Sequence, residues 1–269
     1  MAYMTFEYKS FAQMKGVTIR AYLPDAAVAG LDTNPLKTVY FLPGFSGDST
    51  EIATFLRLRR QVELKNIAVI IVDGENRFYI DHPEKYQNYS AFVGKEVVDV
   101  TRRMLPLSAR REDTYIAGIS MGGYGALYNG LKYRDTFSKV VALSPAIDIY
   151  RVMEENPAAG FLPQQLEDLF GTAEEYRASE WCLPSFYTED NRQNAPEILL
   201  CCGDQDQLVY PHGKEFAEMI SARGYACQYV GGSGNHEIDY WEKCLDPMFS
   251  FLAGIPAGSR DDILQMLGQ

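Results

Sequence analysis

Residues 117–127 read AGISMGGYGAL and set Ser120 between Gly118 and Gly122. A serine hydroxyl is a weak nucleophile at neutral pH. It becomes useful when a base takes its proton and an acid orients that base. The Gly-x-Ser-x-Gly spacing suits such a serine mechanically. A nucleophile shown on a tight, strained turn needs neighbours that are almost absent. Gly118 and Gly122 supply that room, and Gly123 extends it. The competing reading is a glycine-rich packing turn with no chemistry.

The base must come from three histidines, His82, His212 and His236. His82 precedes the serine. His212, in YPHGKEF, falls at an expected helix start and reads as a surface or capping residue. His236, in GGSGNHEIDYW, follows the last apolar run in a glycine-rich loop and is the expected base. The acid should lie in the loop after EILLCCG, which offers Asp204 and Asp206. The residues alone barely separate the two, although Asp206 stands further from the run, where the loop can turn toward His236. Asp239 is too close to His236 in sequence to orient it and reads as a surface residue. A serine, an acid and a histidine in that chain order match one known arrangement of such a triad.

An acyl-transfer centre also needs donors for the oxyanion that forms. The first is the backbone N–H after the nucleophile, that of Met121. The second belongs to LPGFSGD (42–48), where Gly44 lets the backbone approach and Phe45 N–H is the expected donor. A plain Pro-Gly turn is the alternative there.

These residues need a frame. Segments 4–10 and 16–23 alternate apolar and polar residues and read as antiparallel strands at an edge. KTVYFLPG (37–44), IAVIIVDG (67–74), TYIAG (114–118), KVVALSP (139–145), EILLCCG (197–203) and CQYVGG (227–232) are apolar runs of buried-strand length. Between them lie helical patterns: one continuous helix over STEIATFLRLRRQVELKN with Asp48 or Ser49 as cap, then about 91–104, 122–133, 213–223 and from Glu237 onward. Strands alternating with helices mean an α/β fold, a mostly parallel mixed sheet with helices on both faces. In such a sheet ligands bind beyond the carboxyl ends of the strands, where Ser120 lies. Residues 147–192 break the pattern and read as a small cap insertion in a single domain spanning 1–269. Phe161, Phe170 and Trp181 of this insertion are expected beside the site.

Composition limits the partners. Of 269 residues, 46% are hydrophobic and the net charge is −11, which argues against nucleic acid and anionic membrane as partners. The N-terminus lacks a signal-peptide pattern, and no apolar run is long enough to span a bilayer. Five cysteines, with Cys201 and Cys202 adjacent in an apolar run, fit reduced, buried thiols and a cytoplasmic setting. A homo-oligomer is compatible with the acidic surface and aromatic insertion.

Together TYIAGISMGGYGAL, CCGDQDQL and NHEIDYWEKCL resemble the esterase D-like family of α/β-hydrolases, and within it the bacterial tributyrin esterases; FLPGFSGD and FYIDH match more loosely. The resemblance spans about 4 to 253. Its acid motif, Cys-Gly-x-x-Asp-x-Leu, selects Asp206 over Asp204. It implies an α/β-hydrolase fold and a serine carboxylesterase. Such an enzyme would act on small-molecule, short-chain acyl esters through Ser120, Asp206 and His236, with no cofactor and no metal. The same triad would serve an acyltransferase or a thioesterase such as an S-formylglutathione hydrolase. A non-catalytic binding protein on this fold is the third reading. The chain departs from the family at Pro43, where histidine is usual, and at Ile52, Phe78 and Ile238, where tryptophan is common; these three are expected near the pocket.

Overall fold

The computed structural model describes residues 1–25, 35–156 and 163–259. The chain begins with a hairpin, β1 (Ala2–Ser10) and β2 (Lys15–Leu23), paired antiparallel from Ala2–Leu23 to Ser10–Lys15. β3 (Lys37–Leu42) leads into α1 (Ser49–Phe55) and α2 (Leu58–Lys65), then β4 (Ile67–Val72). A two-stranded excursion, β5 (Asp81–His82) with β6 (Gln87–Asn88), precedes α3 (Val97–Met104). The core then alternates: β7 (Thr114–Ile119), α4 (Met121–Lys132) and β8 (Lys139–Leu143). After an irregular segment come β9 (Glu197–Gly203), the helix Tyr210–Ala222, β10 (Cys227–Gly232) and the helix Ile238–Ala253.

The eight long strands form one sheet in the order β1-β2-β4-β3-β7-β8-β9-β10. β2 alone runs against the rest, antiparallel to both β1 and β4, and every other pairing beyond it is parallel. This is the expected mixed α/β sheet, with β1 at the edge and β2 one strand in. The carboxyl ends of β3, β4, β7, β9 and β10 therefore share one edge of the sheet.

Burial on both faces explains why these strands read as unbroken apolar runs. On β3, Tyr40 and Leu42 join one core while Val39 and Phe41 join the other. β4 divides likewise, Ala68, Ile70 and Val72 against Ile67, Val69 and Ile71. Leu127 and Tyr128 of α4 and Phe216 of Tyr210–Ala222 cover the first face. Ile52, Val62, Tyr240 and Phe249 cover the second.

Two elements differ from the sequence reading. The expected single helix over 49–66 is broken at Leu56, which is extended (φ −95°, ψ 134°). Leu56 is buried there, and the turn is fastened by Arg57, whose N–H and Nε both meet Glu242. Helical periodicity continues across a two-residue kink, so the pattern could not mark it. Asp48 does cap the first piece, accepting Glu51 N–H at 2.8 Å. The helix over about 91–104 begins earlier, with a short α-helical turn at Tyr89–Ala91, and passes through a π-helical stretch, Phe92–Glu96, before α3.

Among the described residues, the 147–192 segment holds four α-helices, α5 (Ile149–Glu155), α6 (Pro163–Phe170), α7 (Ala173–Ala178) and α8 (Leu183–Phe186). In the same order the two later helices are α9 (Tyr210–Ala222) and α10 (Ile238–Ala253). Leu166, Phe170, Tyr176 and Tyr187 are buried in the same core as Tyr124 and Leu127 of α4. Phe161 lies outside the described residues. No helix among the described residues is long and apolar enough to cross a membrane.

Candidate active site

Ser120 sits between the end of β7 and the first residue of α4 with φ 55° and ψ −113°, a backbone conformation that side chains other than glycine rarely adopt. Such strain persists only where the surroundings fix it. Here Ser120 N–H donates to Leu143 O at 2.8 Å, and its carbonyl accepts Tyr124 N–H at 3.0 Å. The flanking glycines serve backbone approach. A Cβ on Gly118 would stand 2.2 Å from Gly122 O, and one on Gly122 would stand 2.0 Å from Leu42 O. Neither position can carry a side chain while β3, β7 and α4 remain this close.

Ser120, His236 and Asp206 come together from three separate strand ends. His236 Nε2 lies 3.0 Å from Ser120 Oγ, and His236 Nδ1 lies 2.7 Å from Asp206 Oδ2. A carboxylate only accepts, so Nδ1 carries the imidazole proton and Nε2 turns its lone pair to the serine hydroxyl. Asp206 is 1% exposed, and its other oxygen accepts Leu208 and Val209 N–H at 3.1 Å each. Those two bonds fix the carboxylate plane. Cys202 Sγ lies 3.9 Å from Asp206 Oδ2; burial above all, then the Asp206 charge, pushes that thiol's pKa far up and keeps it neutral.

The rejected candidates stand elsewhere. Asp204 is exposed and uses its N–H on Gly232 O. Asp239 is exposed on the first turn of α10. His82 is buried with its ring 5.6 Å from Trp181. His212 corrects the sequence reading. It is not a surface or capping residue but is 2% exposed inside α9, with Nε2 2.7 Å from Glu155 Oε2 of α5. The 147–192 segment closes over it, a tertiary effect that a local motif does not show.

A cavity of about 110 Å³ opens at Ser120 and His236, lined by Gly44, Phe45, Ile52, Phe55, Leu56, Ile119, Ile238 and Trp241, with Gly47 and Glu51 at the loop. Ile52 and Ile238 thus stand where expected. Phe78 does not line this cavity but lies behind it: it is fully buried, packs its ring 6.2 Å from Phe45 and 5.3 Å from Phe170, and borders a neighbouring cavity with Phe45. Phe170 and Trp181 also stay out of the cavity, in an aromatic stack with Tyr124 and Tyr176. They back the site rather than line this cavity: the Phe170 ring packs 6.2 Å from that of Tyr124 on α4, and the Tyr124 hydroxyl donates to Trp181 O at 2.6 Å. Of the two expected oxyanion donors, Phe45 lines the cavity and Met121 is the first residue of α4, whose leading N–H groups have no partner within the helix.

Trp241 was missed. Its ring stands edge-on to His236 at 5.2 Å, and its Nε1–H donates to Ser144 Oγ at 3.2 Å. Its position five residues after His236, on the first turns of α10, is the one sequence signal that could have found it. The arrangement can deliver a proton-relieved serine oxygen to an ester carbonyl held in an apolar pocket.

Known proteins share this plan. A family model described as "Putative esterase" matches residues 12–252. An acetyl esterase of Caldicellulosiruptor saccharolyticus is 32% identical over 272 residues, covering 95% of this chain and 99% of its own. Among solved structures, fluorophosphonate-binding serine hydrolase F of Staphylococcus aureus superposes with a TM-score of 0.82 at 25% identity, over 94% of this chain and 98% of its own. The S-formylglutathione hydrolase of Staphylococcus aureus superposes with a TM-score of 0.81 at 24% identity over the same shares, a likeness of fold. With the family model and the acetyl esterase each spanning most of its length, the chain belongs to this esterase family and is a carboxylic ester hydrolase on the α/β-hydrolase fold.

Proposed function

We propose that the chain hydrolyses short acyl esters, acetyl esters foremost, with Ser120 as nucleophile, His236 as base and Asp206 as its orienting acid. One observation carries the reading: the continuous Ser120 Oγ–His236–Asp206 hydrogen-bond chain at 3.0 and 2.7 Å, ending on a strained serine. Ser120 Oγ attacks the acyl carbon as His236 Nε2 takes its proton. The carbonyl oxygen becomes an oxyanion, held by Phe45 and Met121 N–H. It collapses, and His236 gives the proton to the leaving alcohol. Water then repeats the attack and frees the acid and Ser120.

The acetyl preference rests on the acetyl esterase relative and on the small, apolar cavity at Ser120. Segment 147–192 acts as a cap in this reading, since its Leu166 and Leu169 border, with Phe45, a second cavity of about 370 Å³. Five free thiols, four of them buried, fit a reducing, cytoplasmic setting. The test is hydrolysis of p-nitrophenyl esters from acetate to decanoate by wild type and Ser120→Ala. Cleavage of short esters lost in the variant supports the reading; equal rates in both would end it.

A further inference from the structure

The loop between β4 and β5 carries unusual backbone. Glu75, Asn76, Phe78 and Tyr79 have φ of 45°, 61°, 51° and 57°. None is glycine, and only asparagine takes this left-handed region readily. Four such residues in five positions require outside restraint.

The restraints run to two places. One is the loop that follows β3. Asn76 Oδ1 accepts Ser46 N–H at 2.6 Å, and the buried Tyr79 hydroxyl donates to Pro43 O at 3.0 Å. Phe45 lies between these two anchors in sequence. The other is α4, whose first residue is Met121. Asn129 Nδ2–H donates to Tyr79 O at 3.0 Å, and Gly125 lets the Tyr79 side chain approach the helix closely: a Cβ there would stand 2.4 Å from the ring. Glu75 is held in turn by Lys15 and by the Tyr89 hydroxyl at 2.7 Å.

One short loop therefore grips both elements that carry the oxyanion donors. We propose that Gly74–Ile80 acts as a gauge that fixes the spacing between Phe45 N–H and Met121 N–H, with Asn76 and Tyr79 as positioning residues for transition-state binding. The inference rests on the assignment of those two N–H groups. Its logic is mechanical. The Phe45 ring itself packs 6.2 Å from that of Phe78 in the same short loop, and oxyanion donors act only when aimed at the place where charge develops. Asn76 and Tyr79 fasten the backbone on either side of that donor. They touch neither Ser120 nor His236, so they act through the loop.

The experiment compares Asn76→Ala, Tyr79→Phe and the double variant with wild type on p-nitrophenyl acetate. Inhibition by a trifluoromethyl ketone is measured beside turnover. Ser120 Oγ adds to the ketone carbon, its proton passes to His236, and the ketone oxygen becomes the oxyanion the donors hold. We expect kcat to fall about tenfold or more in each single variant, with KM within about twofold. The inhibition constant should rise by the factor that kcat/KM loses. The double variant should lose less than the product of the singles, because both anchor one loop. Thermal unfolding confirms that each variant is folded; Asn76 is exposed, so its substitution leaves the core intact. An unchanged kcat, a change confined to KM, or a falling kcat with an unchanged inhibition constant would overturn the gauge while Ser120→Ala stays inactive. Full activity in Ser120→Ala would overturn the site assignment, and the gauge with it.

Discussion

Asp206 divides its two oxygens: Oδ2 holds His236 Nδ1 at 2.7 Å, and Oδ1 holds the Leu208 and Val209 N–H groups at 3.1 Å. The imidazole is thus oriented by a carboxylate that cannot itself rotate. Asp206→Asn should keep the fold but offer His236 the wrong partner, lowering kcat by about 10⁴-fold. Ser120→Ala should cost about 10⁶-fold. Asp204→Asn, at an exposed residue two positions away, should change kcat less than about twofold, since it touches none of these atoms. Steady-state kinetics on one ester checks all three. Equal losses at Asp204 and Asp206 would refute the assignment of the acid.

Gly122→Ala tests the close approach beneath Ser120. The new methyl would stand 2.0 Å from Leu42 O and 2.6 Å from Pro43 O, both backbone atoms that cannot swing away. α4 and the β3 loop must then separate, with the donors on both. We expect a loss of about 3 kcal/mol or more in stability and at least about 100-fold in kcat/KM. Gly16→Ala, with nothing within 4 Å, should stay within about 0.5 kcal/mol of wild type. Chemical unfolding and ester hydrolysis measure the contrast. A stable, active Gly122→Ala would refute the packing argument.

How much of this was legible in the sequence depended on range. Ser120, with its two glycines, is local: strand, turn and helix are all written within 114–132, and the structure places them there. The mostly parallel mixed sheet and its antiparallel front hairpin were readable from the apolar runs, but the strand order, with β4 between β2 and β3, was not, because it depends on long-range pairing. His212 was misread because its burial depends on α5, fifty-seven residues away in sequence. Phe170 and Trp181 were placed at the pocket because aromatic residues in an insertion suggest one, and Phe78 because relatives in the resembled family often carry tryptophan there. Their rings instead stack on one another and on Tyr124, and only tertiary packing decides that. The positive φ values at Glu75, Phe78 and Tyr79 left no trace, since those residue types do not advertise left-handed backbone.

Ile52 and Ile238 set the size of the cavity beside Ser120. Ile52→Trp replaces an aliphatic side chain with an indole in about 110 Å³ of space. Activity on p-nitrophenyl butyrate and hexanoate should fall at least about tenfold relative to acetate, the scale at which a pocket distinguishes added methylenes. The ratio of kcat/KM across chain lengths is the readout. Acetate and hexanoate falling together would show that Ile52 does not bound the acyl group.

Asp73, at the end of β4, gives a pH dependence whose sign can be worked out. Burial raises its pKa above 3.8, with the Asp48 charge adding to it, while the Ser49 N–H and hydroxyl donors and Arg20 pull the other way. The ionised form is therefore less favoured in the fold than in the unfolded chain. Stability contributed by the protonated group is full below 3.8 and is lost as pH rises through the raised folded value. Asp73→Asn lacks this titration. Denaturant unfolding of both proteins between about pH 3 and pH 7 should show wild type losing stability relative to Asp73→Asn across that window, then a constant difference. A difference that moves the opposite way would mean that the Ser49 donors, which hold the ionised carboxylate, outweigh its burial.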